Sequence, residues 1–305
     1  MIIKHRRVQQ KDIRDIQLKF SKIIKKKISK KYYIWKYKQQ NKFNSFVTTY
    51  NGKIIAHVGY SIKKIILENK KSIFFAYRHS SFVLKNYRKK GIYLNLIDYS
   101  NSIIKKITPL VICWPNKNNM ISSKKIKNFS IIKKINPYEV KFEGKKITNN
   151  FIKKNFNLFK KHSFNKKIFL TDHKNWTINK NDNYLKFRYG LHPDNKYFSE
   201  TDIKNYLIIF KLSQINKKNT INIVEFIYKN SPEIYLEKFI SKFEFHDCTI
   251  QIWLNDYQLN ISKKVKFPLI KNKNITFNAC YYPITKKIIK NLKNYNYSMG
   301  DTDVA

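Results

Sequence analysis

Apolar residues in the first fifty positions follow two spacings in turn. Met1–Val8 has the character of a short strand, and from Gln10 to about Lys27 apolar residues recur every three or four positions. The second spacing predicts an amphipathic helix. A short aromatic segment around Tyr32–Tyr37 predicts another helix, and Ser45–Tyr50 predicts a strand. The chain is therefore expected to open with the order β-α-α-β.

A hairpin signal follows directly. Asn51-Gly52 lies between Ser45–Tyr50 and a second β-rich run from Lys53 to about Lys64. Asn-Gly is the strongest two-residue signal for a β-hairpin. A further turn near Glu68-Asn69 leads into a long β-rich run, Ser72–Leu84. These runs predict a three-stranded antiparallel meander.

The next segment has the order strand, loop, helix. A basic loop, Tyr87–Ile92, separates the third meander strand from a predicted helix that runs from Tyr93 to about Lys106. The apolar residues of that helix keep to one face. A short apolar strand, Val111–Trp114, comes next. The first part of the chain therefore predicts the order β-α-α-β-β-β-α-β.

The second half is harder to divide into elements. A helix is expected over Pro232–Phe243, with Ser231 at its N-cap and Pro232 at its first position. With 305 residues and about 150 residues per domain as a guide, we expect two units, residues 1–150 and residues 151–305. The predicted fold class is α/β, with mixed sheets in both units. Candidate strands of the second half are Tyr206–Leu212, Ile221–Tyr228, Thr249–Leu254 and Ile275–Tyr282.

The charge of the chain allows two interpretations. There are 63 Lys and Arg residues against 19 Asp and Glu, which gives a net charge of +44. Such a charge is typical of proteins that bind nucleic acid. However, nearly all the cations are Lys, and Lys, Asn, Ile, Phe and Tyr share A/T-rich codons, so biased base composition is the interpretation we favour. Arg, the residue that reads bases and clamps phosphates, is scarce.

Cysteine usage and hydropathy indicate the compartment. Cys113, Cys248 and Cys280 are odd in number and widely spaced, so neither a disulfide framework nor a zinc site is expected. The first residues are charged and contain no apolar signal region, and no run reaches the roughly 18 apolar residues that span a bilayer. We therefore expect a cytoplasmic protein with no membrane span and no metal.

The basic loop has the chemistry of an anion site. A loop between a strand and a helix N-terminus presents unpaired backbone N–H groups and the positive end of the helix dipole. Arg88, Lys89 and Lys90 add positive charge, and Gly91 permits a close approach to the backbone. The alternative is a solvated basic turn.

The segment Phe82–Tyr93 resembles the fourth strand and cofactor loop of the GNAT acetyltransferases, whose usual pattern is Gln/Arg-x-x-Gly-x-Gly/Ala. Tyr93 departs from this pattern, because it stands where the second Gly or Ala is usual. The chain also resembles a group of bacterial proteins of about the same length that is linked to surface-polysaccharide synthesis. The segments that carry this second resemblance are Tyr33–Tyr37, Asn51–His57, Trp114–Asn119, Tyr184–Pro193 and, less closely, Gly300–Asp303.

The resemblance implies a GNAT fold in the N-terminal half, a second GNAT-like unit in the C-terminal half, and acetyl-CoA as cofactor. The strand backbone at Phe82, Val83 and Leu84 would bind the acetyl-pantetheine end, and Asn116 would face pantetheine or substrate. A bulge in such a strand typically frees an N–H group to polarise the thioester carbonyl. The pyrophosphate would lie on Arg88, Lys89, Lys90, Gly91, Ile92 and Tyr93.

The general base and acid are not fixed by the sequence. His79 on the fourth strand and His57 on the third are candidate bases, although a histidine in a strand is more often structural. Tyr77 and Cys113 are candidate acids. Arg188 and His192 either shape a substrate pocket or hold the second unit together, and we favour the structural role.

The function implied by the resemblance is transfer of an acetyl group to a primary amine of a small molecule, an amino sugar or sugar nucleotide. A basic nucleic-acid-binding protein is a second hypothesis, since Lys and aromatic residues interleave at Lys30–Tyr37. A GNAT-like scaffold that has lost its chemistry is a third, because Tyr93 occupies the glycine position. Cofactor binding separates the first hypothesis from the second, and activity separates it from the third.

Overall fold

The structure is a computed structural model that describes residues 2–25, 27–39, 42–66, 72–159, 176–178, 180–202, 204–215, 218–254, 259–284 and 295–296. These residues divide into two compact units. The first lies within Met1–Ile66, Lys71–Lys134 and Phe277–Lys293, and the second comprises Ile135–Thr276 and a short C-terminal segment. The turn expected at Glu68-Asn69 and the segment Gly300–Asp303 lie outside the described residues.

The strands of four or more residues are β1 (Ile3–Arg7), β2 (Ser45–Tyr50), β3 (Lys53–Ile66), β4 (Ser72–Val83), β5 (Leu110–Cys113), β6 (Ser130–Ile135), β7 (Tyr138–Phe142), β8 (Phe198–Thr201), β9 (Tyr206–Ile215), β10 (Lys218–Tyr228), β11 (His246–Ile252) and β12 (Phe277–Pro283). The α-helices are α1 (Ile13–Ile24), α2 (Lys30–Tyr37), α3 (Ile92–Ile104), α4 (Lys117–Ser123), α5 (Asn149–Asn155), α6 (Asp182–Leu185), α7 (Pro232–Ser241) and α8 (Leu259–Lys264). Shorter strands are Lys38–Gln39, Lys42–Phe43, Lys145–Lys146, Asn157–Leu158, Trp176–Ile178, Ile270–Lys271 and Tyr295–Asn296.

The first unit is built on a mixed sheet with the strand order β1-β2-β3-β4-β5-β12-β6. Strands β1 to β4 pair antiparallel, and β4 pairs parallel with β5 through the crossover helix α3. At the β2–β3 turn, Asn51 and Gly52 have φ values of 45° and 78°, the left-handed conformation that a two-residue hairpin requires. The predicted order and the predicted hairpin are confirmed.

Strand β12 is the main departure from the sequence interpretation. The sequence placed a strand at Ile275–Tyr282 in the second half of the chain. In the structure this strand joins the first sheet, where it pairs antiparallel with β5 and Cys280 lies opposite Cys113. Strand pairing depends on contacts between distant segments, which local periodicity does not encode.

Helices cover both faces of the first sheet. Ile13 and Ile16 of α1 and Tyr33 and Tyr37 of α2 pack in one buried cluster that includes Phe82 of β4. On the opposite face, buried residues of α3 pack against β3, β4, β5 and β12; they are Ile92, Leu96, Ile97 and Ile104. The sheet is therefore enclosed between two helical layers along much of its length.

The second unit repeats this logic with its own sheet, in which β8, β9, β10, β11 and β7 are neighbours in that order. Strands β9 and β10 form an antiparallel hairpin, and β10 pairs parallel with β11 through α7. Helices α5, α7 and α8 contribute to its buried core. The chain thus has the α/β class that the sequence predicted. In the described ranges, no helix combines the length and apolar character needed to span a bilayer.

Candidate active site

The two central parallel strands of the first sheet separate after a short contact. Strand β4 pairs with β5 only from Ala76 to Arg78, and the last pair joins Arg78 to Cys113, where β5 ends. Strand β4 continues to Val83 while remaining paired with β3 on its other side. Within the described residues, the edge of β4 that faces away from β3 therefore carries no strand beyond Arg78, and its backbone groups are open to an extended polar ligand.

A β-bulge lies at this opening. His57 pairs with Phe82 and Gly59 pairs with His79, so β4 carries one residue more than β3 between these pairs. Ser80, inside the bulge, has a left-handed φ of 52°. A bulge re-aims backbone groups and side chains at the edge of a sheet. The bulge that the resemblance implied is thus present in β4.

The basic loop is shaped as a cradle of N–H groups. Lys89 and Gly91 have φ values of 63° and 72°, and Gly91 is the N-cap residue of α3. The first backbone bond of α3 is donated by Asn95 to the carbonyl oxygen of Gly91. Among the described residues, the N–H groups from Lys89 to Leu94 donate to no carbonyl group. Successive N–H groups at the positive end of a helix are a feature that anion sites use.

Charges surround this cradle. Arg88, Lys89 and Lys90 are all exposed, and the Nε atom of Arg88 donates to the carbonyl oxygen of Val83 at 3.0 Å. This bond ties the loop back to the end of β4. The ammonium group of Lys90 lies 6.0 Å from the ring centre of Tyr87, which itself packs against the core. The loop is therefore held by its own side chains while its cations face solvent.

Tyr93 does not fill the cradle. Its ring packs against the buried cluster on the α3 face of the sheet, and the guanidinium carbon of Arg78 lies 5.9 Å from the ring centre. The aromatic side chain at the usual Gly or Ala position thus belongs to the core. Ile92 beside it is buried in the same cluster.

The other predicted cofactor-binding residues lie around the strand edge. Phe82 is buried between β4 and the α1–α2 layer, Val83 pairs with Ala56, and the Leu84 N–H donates to Ile55 at 2.9 Å. Asn116 is exposed at the end of the β5 segment, where its Oδ1 atom caps α4 by accepting from the Asn119 N–H at 2.9 Å. Asn116 therefore has a structural role in this conformation.

His57 is held as a structural residue. Its Nδ1–H donates to the carbonyl oxygen of Ser80 at 2.8 Å, and its Nε2 accepts from the hydroxyl of Tyr33 at 2.9 Å. The side chain is 1% exposed, and burial lowers its pKa to about 4. A neutral ring that is closed off from solvent is not placed to take a proton from a substrate. Its bond to Ser80 instead fixes the carbonyl of the bulge.

His79 and Tyr77 lie together on the α1–α2 face of β4, since residues two apart in a strand share a face. The rings of Tyr77 and Tyr37 are each centred 5.0 Å from that of half-buried His79. His79 Nδ1 bonds the Tyr37 hydroxyl at 2.9 Å, and Nε2 bonds the Ser61 hydroxyl at 2.5 Å. His79 is thus a hydrogen-bonded imidazole one residue before the bulge.

Cys113 lies on the opposite face from this pair, so the structure does not bring the three candidate catalytic residues together. Its sulfur accepts a hydrogen bond from Nη2 of Arg78 at 3.3 Å, and burial raises the pKa of the thiol. Arg78 also donates to Ser123 Oγ at 2.8 Å and to the Tyr282 hydroxyl at 3.2 Å. Sequence interpretation did not single out Arg78, although it was one of only six arginines.

The remaining two candidates lie in the second unit. Arg188 is buried in a π-helical turn, Lys186–Gly190, that follows α6. The ring of His192 accepts from the N–H groups of Asp194 and Asn195 at 3.2 and 3.0 Å, which stabilises a tight turn. The burial of Arg188 and the turn contacts of His192 are typical of residues that stabilise a fold. Within the described residues, no cluster of three potential metal ligands occurs.

Comparison with known proteins identifies solved structures with a similar fold. No family model matches the sequence, and no curated protein matches it. Among solved structures, a GCN5-related N-acetyltransferase from Anabaena variabilis superposes with a TM-score of 0.68 at 9% identity, covering 93% of this chain and 73% of that protein. A GCN5-related N-acetyltransferase from Kribbella flavida gives a TM-score of 0.62 at 8% identity, covering 93% and 72%.

A third similar structure is the N-myristoyltransferase of Saccharomyces cerevisiae with bound myristoyl-CoA, which has a TM-score of 0.57 at 10% identity and covers 92% of this chain and 80% of that protein. Similarity at this level of identity shows the fold and no more. The matches extend over both units, as the sequence predicted for a GNAT fold with a second GNAT-like unit. The chain therefore has the fold of the GNAT acetyltransferases.

Proposed function

We propose that this protein transfers the acetyl group of acetyl-CoA to the primary amine of a small molecule. The observation that carries the proposal is the cradle of six N–H groups from Lys89 to Leu94, with Arg88, Lys89 and Lys90 beside it and an open strand edge next to it. The N–H groups and the cations would bind the pyrophosphate, and the open strand edge would bind the amide groups of pantetheine.

The residues present fit this cofactor. The cradle would hold the pyrophosphate by charge-assisted hydrogen bonds, and the β4 backbone from His79 to Val83 would pair with the pantetheine amides as a strand does. Bound acetyl-CoA supplies a thioester carbonyl that is open to attack. The bulge at Ser80, fixed by His57, would direct a backbone N–H group toward that carbonyl.

Proton transfer is assigned to groups on the two faces of β4. His79 is our choice for the base, because its ring is half-buried and hydrogen-bonded to two hydroxyl groups, Tyr37 and Ser61, which hold its orientation. The ring of Tyr77 lies against the His79 ring and would help to hold its position. Cys113, whose burial keeps it a neutral thiol, is our choice for the proton donor on the other face.

For the acceptor we propose an amino sugar or a sugar nucleotide, as the resemblance to the polysaccharide-linked bacterial group implies. The lysines around the opening would favour a phosphorylated acceptor. We assign the activity to the cytoplasm, where acetyl-CoA is available and where the three buried cysteines would remain thiols.

Two glycines allow a matched test by calorimetry with acetyl-CoA. Gly91 and Gly52 have φ values of 72° and 78°, and a Cβ added at either meets no atom within 4 Å. Gly91→Trp and Gly52→Trp therefore carry the same backbone strain and differ in location. Wild type and Gly52→Trp should bind with micromolar affinity, and Gly91→Trp should lose about 100-fold or more, which is about 2.7 kcal/mol.

The salt dependence of the same titration tests the rival hypothesis. Affinity should fall only moderately when salt is raised, because a few charges contact the ligand. Equal binding by both variants would show that the loop is not the site. If wild type binds no acetyl-CoA but binds single-stranded nucleic acid with a steep salt dependence, the protein is the basic nucleic-acid binder instead.

A further inference from the structure

In the part of the chain that the structure describes, Arg78 is a buried cation that makes no hydrogen bond to an acidic residue. Its side chain is 4% exposed, yet among the described residues its three hydrogen bonds go to a phenol, a thiol and a hydroxyl group, those of Tyr282, Cys113 and Ser123. A guanidinium group stays protonated in proteins. Buried charges are normally paired with a charge of opposite sign, because desolvation of an isolated ion is costly.

The neighbours of Arg78 do not supply the missing charge. The titratable groups that face it are Tyr60 from β3, Tyr93 from α3, Cys113 from β5, and Cys280 and Tyr282 from β12. Burial raises the pKa of the thiol groups of Cys113 and Cys280, and of the phenols of Tyr60 and Tyr282. Burial keeps the phenols of Tyr60 and Tyr282 and the thiols of Cys113 and Cys280 neutral near pH 7, so none of these four groups compensates the charge of Arg78.

The charge of Arg78 lies next to the opening between β4 and β5. Arg78 belongs to the last pair of β4 with β5, directly before the strands separate, and it lies on the face opposite His79. Its contacts tie β4 to β5, α4 and β12 at this point. A ligand that lies along the open edge of β4 would bring its reactive end close to the end of that pair.

We infer that Arg78 stabilises the thiolate that leaves when the acyl group is transferred, and this inference rests on the proposed function. In that step the amine nitrogen forms a bond to the acetyl carbon, and the C–S bond breaks with its electron pair on sulfur. The amine loses one proton to His79, and sulfur leaves as the thiolate, which is protonated only after the C–S bond has broken. Negative charge therefore develops on the side of the strand where Arg78 lies, and the guanidinium group compensates it.

This role is tested by the acidity of bound coenzyme A, without turnover. The thiol of coenzyme A is titrated in the complex by the ultraviolet absorbance of its thiolate. The same titration with desulfo-coenzyme A, which lacks the sulfur, subtracts the cysteines and tyrosines of the protein. In the wild-type complex we expect the thiol pKa to be lowered by about one to three units relative to coenzyme A in water.

Variants then assign the shift. Arg78→Met should remove it, and Arg78→Lys, which keeps the charge, should retain part of it. Arg188→Met is the matched control, because it removes a buried arginine from the other unit and should leave the shift unchanged. Circular dichroism and thermal unfolding report whether each variant is folded.

The outcomes separate this inference from the proposed function. A wild-type protein that binds coenzyme A without lowering its thiol pKa contradicts the role of Arg78 and leaves acyl transfer intact, and this measurement needs no variant. A shift that persists in folded Arg78→Met also overturns the inference. A wild-type protein that does not bind coenzyme A overturns both.

Discussion

The two units contain the same strand–helix–strand crossover, and the loops before their crossover helices differ. In the first unit β4 leaves β5 after the pair Arg78–Cys113 and continues for five residues to Val83. In the second unit β10 leaves β11 after the pair Ile223–Ile252 and continues for five residues to Tyr228. Both strands carry a bulge just beyond that pair: in β10 it contains Val224, directly after the pair, and in β4 it follows the intervening His79. The two crossovers therefore differ in their side chains and loops, not in their topology.

The loops of the two crossovers differ in the features that a pyrophosphate would contact. In the second unit three residues, 229–231, join β10 to α7, and the N–H of Lys229 already donates to Asn205. Pro232 has no N–H group, and Glu233 places a negative charge in the first turn of α7. The first unit instead offers six N–H groups and three cations. On the function proposed above, only the loop of the first unit would bind an anion.

The open edges differ as well. Beyond the bulge of β10, the carboxylate of Glu225 bonds the Lys180 ammonium and the Tyr189 hydroxyl, both at 2.6 Å. The Glu225 side chain is fully buried. Within the second unit, segment 180–190 therefore contacts β10 beyond its bulge through the side chains of Lys180 and Tyr189.

The largest effect is expected from removing the buried ion pair between Lys180 and Glu225 in the second unit. Lys180→Met leaves the buried carboxylate of Glu225 without its cation, which should lower the free energy of unfolding by about 3–5 kcal/mol. Urea denaturation measures the change. Glu225→Gln in addition should recover much of the loss, because it removes the uncompensated charge.

Acetyl-CoA binding to the folded fraction of Lys180→Met provides the control. It should be unchanged, because the pair belongs to the second unit and the loop belongs to the first. A loss of stability below about 1 kcal/mol would mean that the pair is not what holds segment 180–190 in place.

The next effect concerns the two bulges. The first is fixed by buried His57, and the second contains the apolar residue Val224. The pKa of His57 is about 4 in the folded state against about 6.5 when unfolded, so the unfolded state binds more protons between these values. Its contribution to stability is complete above about pH 6.5 and is lost as pH falls to about 4. The loss should be about 3 kcal/mol.

Urea denaturation at several pH values measures this loss, with His57→Gln as the reference. Gln does not titrate, so the variant should show a flatter decline of stability between pH 6.5 and pH 4. Parallel curves for the two proteins would contradict the buried, neutral state of His57.

Local sequence patterns predicted the structural features that depend on residues close together in the chain. The spacing of apolar residues gave the order of elements through β5, and Asn51-Gly52 gave the hairpin. The loop at Arg88–Gly91 could be singled out as a candidate because its chemistry is contiguous, and its role in binding stays a prediction. Pairing of β12 with β5 was missed, since it joins residues far apart in the chain. Arg78 was missed for a related reason: alternation places a side chain on a face of a strand but does not show what covers that face.

The smallest expected effect comes from reversing the charge of one lysine in each loop, which compares the two loops directly. Lys89→Glu and Lys229→Glu each reverse one exposed lysine in the loop before a crossover helix, and each lowers the net charge of +44 by two. The long-range field of the protein therefore changes equally, and only the local position differs. Lys89→Glu should weaken acetyl-CoA binding about 10- to 30-fold, or about 1.4–2 kcal/mol, because the new carboxylate faces the pyrophosphate.

Lys229→Glu should change that affinity less than about 2-fold, and raising the salt concentration should shrink the difference between the variants. Equal losses in both would mean that acetyl-CoA is attracted by the overall charge of the protein and not by this loop. Since the two loops share their place in the fold, a difference between these variants can arise only from what each loop binds.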